Sequence, residues 1–348
     1  MKKSLIAFAA LAVIGGNAAA QSSVTVYGKV DLGLVMDSGA AAGKSIRVSS
    51  GVTGGSRIGF KGVEDLGGGT KAFFQLETGF CADSAAGAPN FCTGSNQFMG
   101  RQAHGDLSGS FGSIGAGRMY SLDFMNLTTV DPFLTGLAGD TQNLIGDKGT
   151  SRLNNTVQYT TPSISGFTAT AELSLGETTG NWEAGRETGA ALTYTKGPLY
   201  ASFTFLDMDN TNGVGASRKD YMFGATYDFG SVKVHGLAMK ASGDPTGVAR
   251  PLDTLDLMIG VTVPVANGRV LASYINHNDE TARTAPGGGD RDANQWAIGY
   301  MYPLSKRTQL YASYARIQNL HGAAFTVGNS TEAGTGPKSF DIGCVHDF

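Results

Sequence analysis

Polar and apolar residues alternate along most of this chain with a period of two. In the segment FTATAELSL, residues 167–175, apolar side chains at odd positions oppose Thr, Glu and Ser at even positions. The segment VTVYGKVDLGL, residues 24–34, repeats the pattern and places Lys29 and Asp31 on its polar face. Because successive side chains of a β-strand point to opposite faces, each such segment predicts a strand with one apolar and one polar face. We count sixteen such segments along the chain.

The connections between these segments are of two kinds that alternate strictly. Short turns, such as Leu66–Gly69 and Lys196–Pro198, alternate with long loops, such as Asp37–Gly55, Asn278–Asp292 and Gln318–Pro337. An even number of strands with short turns at one rim and long loops at the other is typical of outer-membrane barrels. We therefore predict an all-β fold, a 16-stranded antiparallel transmembrane β-barrel with apolar side chains facing lipid and polar side chains facing a water-filled lumen.

One stretch of roughly thirty residues, Leu122–Thr150, has no period of two. It is bracketed by Arg118 and Arg152. It carries four aspartates: Asp123, Asp131, Asp140 and Asp147. An irregular stretch of this length inside a compact chain is usually functional or disordered. It is the third of eight long loops, and we predict that it folds into the barrel mouth and narrows the channel.

The first twenty residues have the features of a cleaved secretory signal. Lys2 and Lys3 form a basic start, Leu5–Ile14 an apolar core, and Ala18–Ala20 a small-residue cleavage site. We expect a signal peptide at residues 1–20 and one β-barrel domain at residues 21–348. After the signal no apolar run approaches the roughly 18 residues of a membrane helix. Because a bilayer admits only helices or closed barrels, we expect a chain exported to the bacterial outer membrane.

Charge and motif content argue against several other functions. The formal net charge is −3 and no basic patch is present, so we expect no nucleic-acid partner. The five histidines lie apart without metal-ligand spacing, which predicts no metal site and no cofactor. No nucleophile motif of the GxSxG kind occurs, so we expect no enzyme. The alternative of a barrel enzyme, with Ser, His and Asp or Asn converging at the rim, stays open. Cys81 and Cys92 lie in one loop and are candidates for a disulfide, whereas Cys344 lies on an apolar face.

The chain resembles the general-diffusion porins of Gram-negative bacteria, and is most similar to the trimeric porins of β-proteobacteria. The matching segments are VTVYGKVDLGL (24–34), SRIGFKGVEDLGGGTKAFFQLE (56–77), GSFGSIGAGRMY (109–120), RLNNTVQYTTPSISGF (152–167), YPLSKRTQLYASYA (302–315) and the last six residues, GCVHDF. The resemblance implies a homotrimer in outer-membrane lipid and a third loop folded inward as an eyelet. It also implies that Phe348 is part of the signal read by the barrel-assembly machinery. The stretch RQAHGDL departs from the family's usual apolar run.

The resemblance further implies which charges line the pore constriction. In the family, basic residues on the barrel wall face acidic residues on the third loop. The basic candidates are Arg57, Lys61, Arg118 and Arg152, and the acidic candidates are Asp123, Asp131 and Asp140. Alternation places Arg57 and Arg152 on the lumen face, whereas the assignment of Arg118 depends on the resemblance. Because a narrow pore loses the screening of bulk water, opposed charges there sort ions by sign; alternatively, the arginines form structural ion pairs that pin the loop.

The expected function is a passive channel for ions and small hydrophilic solutes across the outer membrane. Two alternatives stay open: a channel selective for one substrate, which differs only in the detail of the eyelet, and a surface β-protein for adhesion or binding. The sequence does not determine the sign of the ion selectivity.

Overall fold

The computed structural model describes residues 23–84, 98–145, 151–209, 217–243, 252–281 and 291–348. Seventeen strands lie in these ranges: β1 (Ser23–Ala40), β2 (Gly43–Ser50), β3 (Arg57–Gly67), β4 (Thr70–Gly79), β5 (Gln102–Gly109), β6 (Gly112–Tyr120), β7 (Arg152–Thr160), β8 (Phe167–Ser174), β9 (Glu187–Lys196), β10 (Leu199–Asp209), β11 (Ser217–Asp228), β12 (Lys233–Gly243), β13 (Leu252–Val265), β14 (Gly268–Asp279), β15 (Ala293–Pro303), β16 (Thr308–Asn319) and β17 (Lys338–Asp347). An α-helix, α1 (Leu122–Val130), and a 3-10 helix (Thr141–Asn143) follow β6. Among the described residues no helix is long and apolar enough to cross a bilayer.

All the strands form one antiparallel sheet that closes when β1 pairs with β17. Strands β2 and β3 both pair with β1, β2 along its second half and β3 along residues 23–29. They therefore occupy one position in the wall, and the predicted closed barrel of sixteen strand positions is confirmed.

Two segments predicted to be irregular contain regular structure. Most of the predicted loop Asp37–Gly55 is a hairpin, because β1 continues to Ala40 and β2 begins at Gly43. A period of two was present in β2, where Ile46 and Val48 alternate with Arg47 and Ser49. In the third loop, Leu122–Val130 is helical, and the Ser121 side chain caps the helix by accepting from the backbone N of Phe124 at 3.3 Å.

The ends of the barrel wall meet at Gly28 and Phe348. The backbone N of Gly28 donates to the Phe348 carbonyl at 3.1 Å, and the Phe348 N donates back at 3.0 Å. A Cβ atom at Gly28 would lie 2.3 Å from the Phe348 ring. Glycine is therefore required in this strand, because the aromatic ring rests directly on its backbone.

The two faces of the wall differ as the alternation predicts. Outward side chains in mid-strand are large and apolar, and Ile259 is 61% exposed. Polar side chains such as Thr226, Gln295 and Ser313 point inward and are buried. The inward faces of β11–β14 also carry apolar side chains, and these form a core with the third loop inside the barrel.

The third loop rests on inward-facing glycines of the wall. A Cβ atom at Gly224 would lie 2.8 Å from Val130, one at Gly260 2.7 Å from Pro132, and one at Gly299 3.0 Å from Phe133. These glycines lie on β11, β13 and β15. The missing side chains leave a trough in which the loop packs against the backbone of the wall.

We predict that Gly224→Val destabilises the barrel, because the new side chain overlaps Asn126 and Val130. Overpacking of this kind costs about 1–3 kcal/mol, and the thermal unfolding temperature in detergent should fall. Gly236→Val is the matched control, since a Cβ atom at Gly236 meets nothing within 4 Å. Equal unfolding temperatures for the two variants would show that the loop does not rest on Gly224.

Candidate functional site

Asp131 organises the third loop from its interior. The side chain is fully buried. Its carboxylate accepts from the backbone N of Phe133 and of Thr135, both at 2.9 Å, and from the N and Oγ1 of Thr141 at 3.2 and 3.0 Å. Burial raises the pKa of this carboxyl to about 6, although these hydrogen bonds oppose the rise. Asp131 therefore shapes the loop and does not line the pore.

The other two predicted aspartates also serve the loop's own structure. Asp140 caps the 3-10 helix, since its carboxylate accepts from the backbone N of Gln142 at 2.8 Å. Asp123, in the first turn of α1, accepts from the Thr204 hydroxyl on β10 through Oδ1, and its buried Oδ2 has no hydrogen-bond partner within the described residues. This contact anchors the start of the loop to the wall.

Further hydrogen bonds tie the loop to the wall on both sides of the lumen. The Val130 carbonyl lies 2.9 Å from Nδ1 of His235 on β12. The backbone N of Ala138 donates to Ser313 Oγ on β16 at 3.0 Å, and the N of Leu137 donates to the Val52 carbonyl at 2.6 Å. The loop therefore crosses the barrel and leaves an opening on one side.

That opening is a cavity of about 380 Å³ between the loop and the wall, which we call the constriction cavity. Phe124, Thr128 and Gln142 line it from the loop. Five basic side chains line it from the wall: Lys29, Arg57, Arg101, Arg152 and Arg269. No Asp or Glu of the described residues is part of this lining.

One carboxylate behind the lining compensates part of this charge. Glu77 on β4 accepts from Arg101 Nε at 2.7 Å, and its Oε1 lies 3.7 Å from Arg57 Nη1. The Tyr27 hydroxyl also donates to Glu77, at 3.0 Å. The guanidinium groups of Arg57 and Arg101 thus share one carboxylate. Together with Arg152, whose hydrogen bond goes to the Tyr120 hydroxyl, they leave a surplus of two positive charges (3 − 1).

The other two basic residues of the lining are Lys29 and Arg269, and among the described residues neither has a carboxylate as close as the one that Arg101 has. Lys29 lies 3.8 Å from Asp347. Arg269 contacts Met301 Sδ at 3.2 Å and donates to Gln309 Oε1 at 3.4 Å, and both of these partners are uncharged. The field at the constriction cavity is therefore positive, and it acts across a passage where the wall and loop displace bulk water.

The predicted basic residues separate into three groups. Arg57 and Arg152 line the constriction cavity. Lys61 also points inward, over the Tyr27 ring at 5.1 Å, but it is exposed and lies outside the cavity lining. Lys61 is thus part of the lumen below the narrowest passage.

Arg118 differs from its predicted place. Strand register puts Phe60, Leu76, Ala103 and Arg118 in one row across β3–β6, and Leu76 is an exposed apolar side chain of the outer face. The guanidinium donates to the Gly100 carbonyl at 2.7 Å and to Asn154 Oδ1 at 2.5 Å. The geometry therefore places Arg118 on the outside of the wall, where the plain alternation of β6 had it.

Sequence reasoning did not select Arg101, Arg269, Glu77 or Tyr120 for the site. Arg269 lies at the start of a strand, so its inward direction could have been predicted from the alternation of that strand. Arg101 lies one residue before β5, where no alternation yet defines a face. Glu77 lies on the polar face of an alternating segment, but nothing in the sequence shows that it meets two arginines.

Cys81 is disulfide-bonded and Cys344 is free. Cys92 and Asp147 lie outside the described residues, so the pairing of Cys81 with Cys92 stays a prediction. Within the described ranges no group of three or more His, Cys, Asp or Glu side chains is arranged to hold a metal ion.

A family model described as Gram-negative porin matches residues 7–322 of the chain. Outer membrane porin protein 32 of Delftia acidovorans is 33% identical over all of both chains. An outer membrane porin protein of Bordetella pertussis is 31% identical over 91% of this chain and 94% of its own. The solved structure of an anion-selective porin from Comamonas acidovorans superposes with a TM-score of 0.80 at 28% identity, covering 94% of this chain and all of the other.

We predict a pH-dependent stability that depends on Asp123. Burial, which is the largest cause, raises the pKa of its carboxyl to about 7, and the neighbouring Asp220 adds to the rise, whereas the Thr204 hydrogen bond and Arg218 lower it. Because the folded protein holds this proton more tightly than the unfolded chain, whose Asp pKa is about 4, Asp123 stabilises the fold most below pH 4. That contribution is lost as the pH rises toward 7.

Asp123→Asn should therefore raise the thermal unfolding temperature at pH 8 and change it little at pH 4. The exposed Asp65→Asn serves as the control, with no difference expected between the two pH values. An Asp123→Asn variant with the parent's unfolding temperature at both pH values would contradict the prediction.

Proposed function

We propose, on the premise that this chain belongs to the Gram-negative porin family, that its pore prefers anions and that Arg57, Arg101 and Arg152 set this preference. The protein is an outer-membrane porin, a passive water-filled channel for ions and small hydrophilic solutes. The observation that carries the proposal is the lining of the constriction cavity, which holds five basic side chains and no Asp or Glu among the described residues. Transport follows the solute gradient.

The physical basis is the uncompensated charge at the narrowest point. An anion that enters the constriction cavity meets guanidinium N–H groups that replace part of its hydration shell, whereas a cation meets the same groups as a barrier. Glu77 cancels part of the positive charge of the arginines and so weakens their attraction for anions. A weaker attraction allows an anion to leave the constriction cavity faster. One similar protein of solved structure is itself named an anion-selective porin, which supports the proposal.

We predict that Arg57→Ala, Arg101→Ala and Arg152→Ala each shift the reversal potential in a salt gradient toward cations. One unit charge at 4 Å contributes about 1 kcal/mol in a water-like dielectric, with opposite sign for an anion and a cation. Its loss therefore changes their energy difference by about 2 kcal/mol, and the anion-to-cation permeability ratio should fall about thirty-fold for each variant. The measurement is planar-bilayer recording of purified protein.

Arg316→Ala is the matched control, because Arg316 pairs with the outward Trp296 and is exposed on the outer face. It should leave the reversal potential unchanged. A cation-selective parent channel would refute the proposal, as would arginine variants that keep the parent's reversal potential.

We also infer that the protein is a homotrimer and that the outer face around Arg118 lies in a contact between subunits. An arginine facing lipid costs about 2–4 kcal/mol at the bilayer midplane and much less near its surface. Arg118 is near the loop end of β6, and a neighbouring subunit would cover it with polar groups. One structural neighbour, OmpT of Vibrio cholerae, is described in a trimer form. We also propose that residues 1–20 are a signal peptide that is cleaved on export. Phe348 is then part of the signal that the barrel-assembly machinery reads.

We predict that Arg118→Ala lowers the temperature at which the trimer dissociates in detergent and leaves the reversal potential unchanged. Dissociation is followed by heat-dependent migration on a gel. Lys219→Ala, an exposed change on β11, is the control for loss of an outer-face charge. A shifted reversal potential in Arg118→Ala would show that this residue acts in the pore. An unchanged dissociation temperature would show that it does not stabilise a contact between subunits.

A further inference from the structure

Tyr120 connects the basic wall to the third loop. It is the last residue of β6, directly before the helix cap, and it lines the constriction cavity. Its hydroxyl oxygen accepts from Arg101 Nη2 at 3.0 Å and from Arg152 Nη2 at 3.3 Å. Its ring lies under the Arg152 guanidinium at 4.8 Å and packs on the Phe124 ring of α1 at 4.8 Å. One side chain therefore contacts two of the three selectivity arginines and the helix opposite them.

The hydrogen bonds of the Tyr120 hydroxyl fix the direction of its own hydrogen. Guanidinium groups have donors only, so both arginines donate to the phenol oxygen and occupy its acceptor positions. The remaining hydrogen must point away from both, and no acceptor for it is found among the described residues. Since Tyr120 lines the constriction cavity, we infer that this O–H is directed into the passage.

Arg152 adds a second donor at the same place. Its Nε is buried and has no hydrogen-bond partner within the described part of the chain. Its Nη2 is held by Tyr120 at 3.3 Å, and its plane is held by the ring. Two like-charged guanidinium groups repel each other, and a shared acceptor between them offsets part of that repulsion.

We propose that Tyr120 is a specificity-determining residue of this pore, which holds Arg101 and Arg152 side by side and donates its own O–H to small oxyanions in transit. The proposal rests on the anion preference proposed above. A neutral O–H donor is directional, so it favours the lone pairs of a carboxylate or similar oxyanion over a spherical halide. The arginines attract anions in general, and Tyr120 discriminates among them.

The test is Tyr120→Phe, measured by reversal potentials with chloride and acetate on opposite sides of a bilayer and in a potassium chloride gradient. The ring remains, whereas the shared acceptor and the donor are lost. We expect the acetate-to-chloride permeability ratio to fall about five-fold, the effect of one hydrogen bond, and the anion-to-cation ratio to fall by a smaller factor.

Tyr200→Phe is the matched control, because it also removes a phenol hydroxyl that donates to the third loop, to Asn126 Oδ1 at 3.4 Å, but Tyr200 does not line the constriction cavity. It should keep the acetate-to-chloride ratio of the parent. An unchanged ratio in Tyr120→Phe, or an equal loss in Tyr200→Phe, would overturn the inference.

If Tyr120→Phe does not fold, Tyr120→Gln keeps both an acceptor and a donor at this position, and we expect its acetate-to-chloride ratio to stay within about two-fold of the parent's. A folded Tyr120→Gln channel that had lost the ratio would overturn the inference. A parent channel without anion preference would refute the proposed function, whereas an anion-selective parent with an unaffected Tyr120→Phe variant would refute only the role of Tyr120.

Discussion

The pairing of β1 with β17 is the constraint from which the rest of the structure follows. In a bilayer an unpaired strand edge leaves backbone N–H and C=O groups without partners, so a sheet there must close. The hydrogen bonds between Gly28 and Phe348 close the wall. The alternation along each strand then decides which face points toward lipid. Because the outer face is apolar, the polar side chains of the strands point into the lumen. The third loop packs there against the wall.

The wall and the loop are adapted to each other through backbone contact and buried carboxylates. Gly224, Gly260 and Gly299 give the loop room against the wall. Asp131 holds the loop's own turns through four hydrogen bonds, at the cost of burying a carboxyl group whose pKa rises to about 6. Because Asp123, Asp131 and Asp140 are used within the loop and at its anchor, none of these three lies in the lining opposite the basic wall.

Sequence reasoning predicted the barrel and part of the site, because a period of two reports which face a strand residue occupies. It placed Arg57 and Arg152 in the lumen on this ground. At Arg118 the resemblance overrode the alternation, and the alternation was right. Tyr120, two residues later, nevertheless lines the constriction cavity. It does so at the end of β6, after the β6–β7 pairing has become irregular between Gly117 and Met119, where alternation no longer reports the facing of a side chain.

The roles of the loop residues depend on distances that alternation does not encode. An aspartate in an irregular segment can face a pore, cap a helix or close a turn, and these outcomes have the same sequence signature. Family resemblance favoured the first for Asp123, Asp131 and Asp140, whereas their contacts in the structure are a strand hydroxyl, loop backbone and a helix cap.

The position of the counter-charge has a consequence for how the pore works. Glu77 lies on the same wall as the arginines, so it lowers their total charge without setting up opposed charges across the passage. Charges opposed across a pore would orient water and attract ions of both signs to opposite sides. On the loop side of the passage, the described lining residues, Thr128 and Gln142 among them, carry no charge. On the anion preference that we propose, an anion would move along the donors of the basic wall and keep its hydration shell toward the loop, so that its release would stay easy.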